Sequence, residues 1–259
     1  LEGAREATID TYMRTVRMLL DTSVPVTSVN AEMLRASLAA RAECKPATRR
    51  FYSNTLKSLA VYLEQRCGFS ATLHQSIPDI KVDPTVRPYW SHDQIIAIKA
   101  NVECRDKVCQ KQFREYLELL SITGCRQGEA AELRWEDFLG DRIRFRAENT
   151  KGRKTRIVPI PTYFTKMLLE RQELQGKIFD AIPKTQSSRD KMLRRAMQKA
   201  GIARGSLHTF RKSVAEDLFK RSNGDLKLVS AITGHSEVTL ARYYLKERGI
   251  DDMRKLIGD

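Results

Sequence analysis

No long apolar run occurs in this 259-residue chain, and acidic side chains are outnumbered by basic ones, 32 against 46. The first absence argues against a membrane-spanning helix, and no basic amphipathic helix stands out that would lay the chain on a lipid surface. The second leaves a net charge of +14, an excess that fits a polyanionic partner, most simply nucleic acid. Paired CxxC spacing is missing as well. The five cysteines (Cys44, Cys67, Cys104, Cys109, Cys125) read as reduced thiols of an intracellular protein and argue against a zinc site. No signal peptide is visible, and the chain opens on Leu1 rather than Met, which leaves room for a preceding piece.

The positive charge is uneven. Residues 1–80 hold 10 basic and 8 acidic side chains, which leaves 36 and 24 for the rest. The second part is therefore expected to hold the polyanion most closely. Helical periodicity dominates the first part. Ile9, Tyr12, Met13, Val16, Leu19 and Leu20 share one helical face, and Tyr52, Thr55, Leu56, Leu59, Tyr62 and Leu63 share another that Gly68 stops. A third helix is expected around 31–42. From Ile77 the pattern lapses into IPDIKVDPTVRPYWS, with three prolines, as in an extended linker. The expected domains are a helical bundle over 1–77, a Pro-rich linker over 78–91 and a second domain over 92–259.

Beyond the linker, Phe113, Tyr116, Leu117 and Leu120 form a helical stripe that ends at TGCR. The period then changes to two: in DRIRFRAE, Ile143 and Phe145 alternate with Arg142, Arg144 and Arg146, as in a half-buried strand. TRIVPIP supplies a second strand, with ENTKGRK as the turn, and helices resume after Pro161. The fold class is mainly α with a small antiparallel β-sheet, α+β in the second domain. Residues 142–156 hold seven basic side chains and one acid, Glu148. Edge protection is the ordinary reading of a charged strand, but so one-sided a charge favours contact with phosphates. Arg142, Arg144, Arg146, Arg153 and Lys154 are the candidate DNA contacts here, with Arg49 and Arg50 in the first domain.

GHSEVTLARYYL, residues 234–245, ends on two adjacent tyrosines. A phenol has a pKa of about 10 and is a poor nucleophile at neutral pH unless its proton is removed. Attack on a phosphodiester also loads negative charge onto the non-bridging oxygens, which two planar guanidiniums are suited to carry. The leaving 5′ oxygen needs a proton from an acid such as histidine or lysine. Four stretches offer these groups: TGCRQGEAAELRW holds Arg126, Glu129 and Glu132; NTKGRKTRIVP holds Lys151; LHTFRKS holds His208 and Arg211; GHSEVTLARYYL holds His235, Tyr243 and Tyr244. Each alone is a weak signal, since a turn lysine or a lone histidine has ordinary structural uses.

In order and spacing together, these stretches resemble the tyrosine recombinases, the group of phage integrases and chromosome-dimer resolvases. TGCRQGEAAEL is similar to that family's TGLRxSEL box, KGRKTRIVP to its GKGxKxRxVP hairpin, and HTFRKSVAEDL to its HxFRHxxAT helix. The matches span most of residues 113–245. The resemblance implies that Arg126 and Arg211 hold the scissile phosphate and that Lys151 is the general acid. His208 would assist proton transfer, His235 would donate a hydrogen bond to the phosphate, and Glu129 would orient the site. It also implies a 3′-phosphotyrosyl intermediate, no metal or other cofactor, and a homotetramer on double-stranded DNA with specific recombination sites. In that family the nine-residue interval after this histidine ends on the nucleophile, so the resemblance implies Tyr244 in that role, with Tyr243 as a packing or positioning neighbour. Cys125, Gly128, Lys212 and Thr233 depart from the family pattern, Thr233 standing where leucine is usual.

Ile250, Met253, Leu256 and Ile257 give the tail an apolar stripe, for packing on its own domain or for exchange between subunits. The competing readings are a type IB topoisomerase and a catalytically silent DNA-binding regulator. Either way the expected location is intracellular with access to DNA, cytoplasmic and nucleoid-associated in a prokaryote.

Overall fold

A computed structural model describes residues 6–21, 23–82, 89–150, 154–171, 173, 175–203 and 205–244, with the backbone alone for Ala7 and Tyr244. Lys151, Arg153 and the tail over 249–259 lie outside the described residues. So do residues 83–88 of the expected linker. The chain divides into two compact units, Leu1–Val86 and Arg87–Asp259.

In the first unit, α1 (Glu6–Leu19), α2 (Ala31–Ala39) and α3 (Pro46–Arg66) form the helical framework. Asn30 caps α2 by accepting the Met33 N–H, and Pro46 opens α3, where a missing N–H costs nothing. Leu34, Leu38, Leu56, Ala60 and Leu63 build the core. Ile77 is part of it, and Ile80, from the Pro-rich stretch, packs against it.

The second unit begins its core at Trp90, which meets the Phe210 ring edge-on at 5.1 Å. Its helices are α4 (His92–Ala100), α5 (Lys107–Thr123) and α6 (Gln127–Ala131). After the strands come α7 (Thr162–Leu169), α8 (Gln186–Lys199), α9 (Leu207–Arg221), α10 (Leu226–Thr233) and α11 (Glu237–Tyr244). Strands β1 (Arg142–Phe145) and β2 (Arg156–Pro159) pair antiparallel, with Ile143 opposite Val158 and Phe145 opposite Arg156. Phe113, Tyr116, Leu117 and Leu120 of α5 are fully buried. Each such side chain contributes about 1.5–3 kcal/mol relative to exposure, which makes α5 the axis of this unit. Among the described residues no helix is long and apolar enough to cross a membrane.

Helix α5 stops at Gly124, in the left-handed conformation at φ 58°. A Cβ there would lie 3.1 Å from methyls of Val214 on α9 and Thr233 on α10. The end of α5, the middle of α9 and the end of α10 therefore converge where only a bare backbone fits. Gly124→Ala is expected to lower the unfolding free energy by about 1–3 kcal/mol through left-handed strain and crowding. A lower urea midpoint with an unchanged slope is the measurement.

Candidate active site

The convergence at Gly124 leads directly into α6, and α6 carries an acid that two arginines share. Glu129 is 2 % exposed. Its carboxylate accepts from Arg126 Nη1 at 2.7 Å and from the Arg126 backbone N–H at 3.1 Å. The second arginine is Arg156 of β2, whose Nη2 lies 2.7 Å from Glu129 Oε2. Burial alone would raise the Glu129 pKa, but the Arg156 charge and the hydrogen bonds from Arg156 and Arg126 outweigh it and hold the carboxyl below its usual value. The Arg156 guanidinium also sits 4.2 Å over the Phe145 ring and donates through Nε to Ile232 O at 3.2 Å. At Gly234, a Cβ would come within 2.8 Å of that guanidinium, so the turn after α10 is pressed against it.

Arg211 of α9 is the largest fully buried side chain among the described residues, 1 % exposed. Its Nη1 donates to Gly124 O at 2.7 Å and to Thr233 O. Its Nη2 is buried and has no hydrogen-bond partner among the described residues. Burial, then the Arg126 charge, push its pKa down to about 9, which still leaves it cationic at neutral pH. Three guanidiniums (Arg126, Arg156, Arg211) thus act on one another around one carboxylate, Glu129. A buried excess of positive charge with donor capacity unspent is the electrostatic signature of an anion site.

His235 follows Gly234, which ends α10 at φ 71°. Its Nδ1 is 2.9 Å from Thr233 Oγ1. Burial, then Arg211, Arg126, His208 and Arg156, push its pKa down to about 3. Stability should therefore decline as pH falls from about 6.5, because the unfolded chain takes up a proton that the folded one refuses. His208, in the first turn of α9, is exposed while Arg211 one turn on is buried, yet it too helps to lower the His235 pKa. The helix α11 ends at Tyr244, whose side chain is not described, and Tyr243 is 54 % exposed.

The structure thus brings together Arg126, Glu129, Arg211 and His235, with His208 nearby. It also adds Arg156, which sequence reasoning passed over. The signal was available: Arg156 lies two residues before buried Val158 in an alternating strand, hence on the inward face, where a charge needs a partner. The arginines of β1, and Arg146 just after it, have a different setting. Arg142 pairs with Asp141 at 2.7 Å, while Arg144 and Arg146 converge on Asp137 at 3.3 and 2.5 Å. Their acids precede the strand, outside the one-sided 142–156 window. Lys154 and Arg50 are exposed, and Arg49 on α3 is half-buried with its Nε unpartnered among the described residues.

Glu129→Gln should cost about 3–5 kcal/mol at neutral pH, since it strips a buried counter-charge from two guanidiniums. Because the folded-state pKa of Glu129 is lowered, this contribution is fully present above the unfolded value of about 4.3. It is lost as pH falls through the lowered one. Urea titrations at a series of pH values should show the gap between wild type and variant narrowing in acid.

The sequence profile of the phage integrase family matches residues 90–249. A tyrosine recombinase of Thermosipho africanus (strain TCF52B) is 24 % identical over 214 residues, covering 79 % of this chain and 74 % of the relative. A structure of a lambda integrase dimer bound to a COC′ core site aligns with a TM-score of 0.72 at 20 % identity, over 96 % of this chain and 74 % of the other. The XerH site-specific recombinase, in a post-cleavage complex with palindromic difH substrate, aligns with a TM-score of 0.73 at 18 % identity, over 98 % and 80 %. These structures share the fold, mostly helical with a small antiparallel sheet. The family profile covers more than half of the sequence, including every residue of the arginine cluster, and the chain belongs to the phage integrase family.

Proposed function

We propose that this chain is a site-specific DNA recombinase that cleaves and rejoins strands through a 3′-phosphotyrosyl intermediate. The observation that carries this reading is Arg211: a buried cation with an unspent Nη2, beside Arg126 and His235. A phosphodiester oxygen supplies both the acceptor and the negative charge that this cluster lacks.

In this reading Arg126 and Arg211 hold the non-bridging oxygens, and Glu129, through Arg126 and Arg156, fixes their approach. The Tyr244 oxygen attacks phosphorus, and the bond to the 5′ oxygen breaks. His208 assists removal of the phenolic proton, and Lys151 protonates the departing 5′ oxygen. His235 contributes a hydrogen bond to the phosphate. Attack by a 5′ hydroxyl of the partner strand then releases the tyrosine, so the energy of the broken bond is kept in the covalent link.

The partner is double-stranded DNA carrying specific recombination sites. Relatives of this fold include a lambda integrase tetramer bound to a Holliday junction, and a homotetramer on DNA is the corresponding assembly here, joined by exchange of the tail over 249–259. Arg142, Arg144, Arg146, Arg153 and Lys154, with Arg49 and Arg50, are the phosphate contacts outside the catalytic cluster. For Arg144 and Arg146 that contact requires exchanging Asp137 for a phosphate.

Two experiments follow. On nicked suicide DNA substrates, Tyr244→Phe should yield no covalent adduct while DNA binding persists, and Tyr243→Phe should still form it. Adduct loss from Tyr243→Phe alone overturns the assignment. Deleting 249–259 should weaken cooperative assembly on paired sites more than binding to one site, measured by gel shift. Equal loss of both counts against exchange of the tail.

A further inference from the structure

The residue that ends α10 touches two members of the arginine and histidine cluster. Thr233 is fully buried, and its carbonyl accepts from Arg211 Nη1. Its hydroxyl oxygen lies 2.6 Å from Val229 O, 2.9 Å from His235 Nδ1 and 3.4 Å from the His235 backbone nitrogen. A carbonyl can only accept, so the one hydroxyl proton goes to Val229. The hydroxyl then has only lone pairs to offer His235, and Nδ1 must bring the proton to that bond. The turn is held in place from its other side. Ser230 Oγ donates to His235 O at 2.7 Å, and the Gly234 N–H donates to Ser230 O at 2.8 Å.

A second proton on the ring is opposed by burial and by the charges around it: Arg211 and His208 from α9, Arg126 at the start of α6 and Arg156 from β2. The ring is thus neutral, and with Nδ1 protonated its Nε2 holds a lone pair. We propose that Thr233 is a positioning residue: its hydroxyl fixes His235 as the Nδ1–H tautomer and makes Nε2 a proton acceptor in the free protein. A leucine, usual at this position in the motif that the sequence resembles, has no hydroxyl and leaves the tautomer to other partners.

The consequence for the reaction rests on the proposed DNA cleavage, whereas the tautomer itself does not. A phosphodiester oxygen has no proton to offer, so it meets Nε2 only after Nε2 has taken one from solvent. The product is an imidazolium bonded through Nδ1 to Thr233 and through Nε2 to the phosphate. The incoming negative charge offsets the arginines that keep the free ring neutral. In this chain, then, His235 becomes a hydrogen-bond donor to phosphate by gaining a proton as DNA engages.

The test is imidazole ¹⁵N spectroscopy on the full chain without DNA, with His235→Gln identifying the signal among the four histidines. In wild type and Thr233→Ser, which keeps the hydroxyl, Nδ1 should show the protonated shift and Nε2 the unprotonated one. Thr233→Val keeps the branched shape without the hydroxyl, and its His235 signals should move towards the Nε2–H form. An Nε2–H signal in wild type, or a Thr233→Val spectrum identical to wild type, overturns the proposal. If Thr233→Val does not fold, the wild-type spectrum alone decides. No DNA is present, so a failure of the recombinase reading leaves this result standing, and the reverse holds too.

Discussion

One buried carboxylate organises the second unit. Glu129 is reached from two directions, by Arg126 within its own short helix and by Arg156 across from β2. Removing the acid would leave like charges packed together in a poorly solvated place, where repulsion is strong. Keeping it neutralises only part of the charge, and the remainder acts on Arg211 and on the neutral ring of His235. The site is thus held together by an ion pair and left electrically incomplete by the same arithmetic.

The small sheet acquires its purpose from this arrangement. Two four-residue strands place Ile143, Phe145 and Val158 in the core, and their register puts Arg156 opposite Phe145. The ring supports one face of the guanidinium while Glu129 and Ile232 O take its donors. A one-residue slip would turn Arg156 to the outward face and strand Glu129. The hairpin is therefore a bracket for one charge, and its outward arginines are satisfied separately by Asp137 and Asp141.

How much of this was legible in the sequence depended on whether the cause was local. The α5 stripe and the period-two alternation of Ile143 and Phe145 are local, and they announce a helix and a strand directly. The order of Arg126, His208, Arg211 and His235 was also visible, because their spacing resembles a family motif. What stayed hidden was pairing across distance. Arg144 and Arg146 read as free positive charge because Asp137 precedes the strand and reaches it only through the fold. Arg156 was overlooked because a basic residue in a basic hairpin draws no attention until its face is known. Thr233 was noticed only as a departure from the motif, since the single proton of its hydroxyl matters only once Val229 O and His235 Nδ1 are both in range.

The supports of Arg211 carry a different kind of consequence. Its Nη1 is held by two main-chain carbonyls, those of Gly124 and Thr233. Every residue type supplies a carbonyl, so at Thr233 the aim of this guanidinium places no demand on which side chain is present. That leaves Thr233 free to differ from leucine and to take on separate duties without disturbing the arginine. Gly124 is constrained for another reason, its left-handed turn and lack of room. A buried cation whose orientation is written in the backbone allows the letters around it to drift.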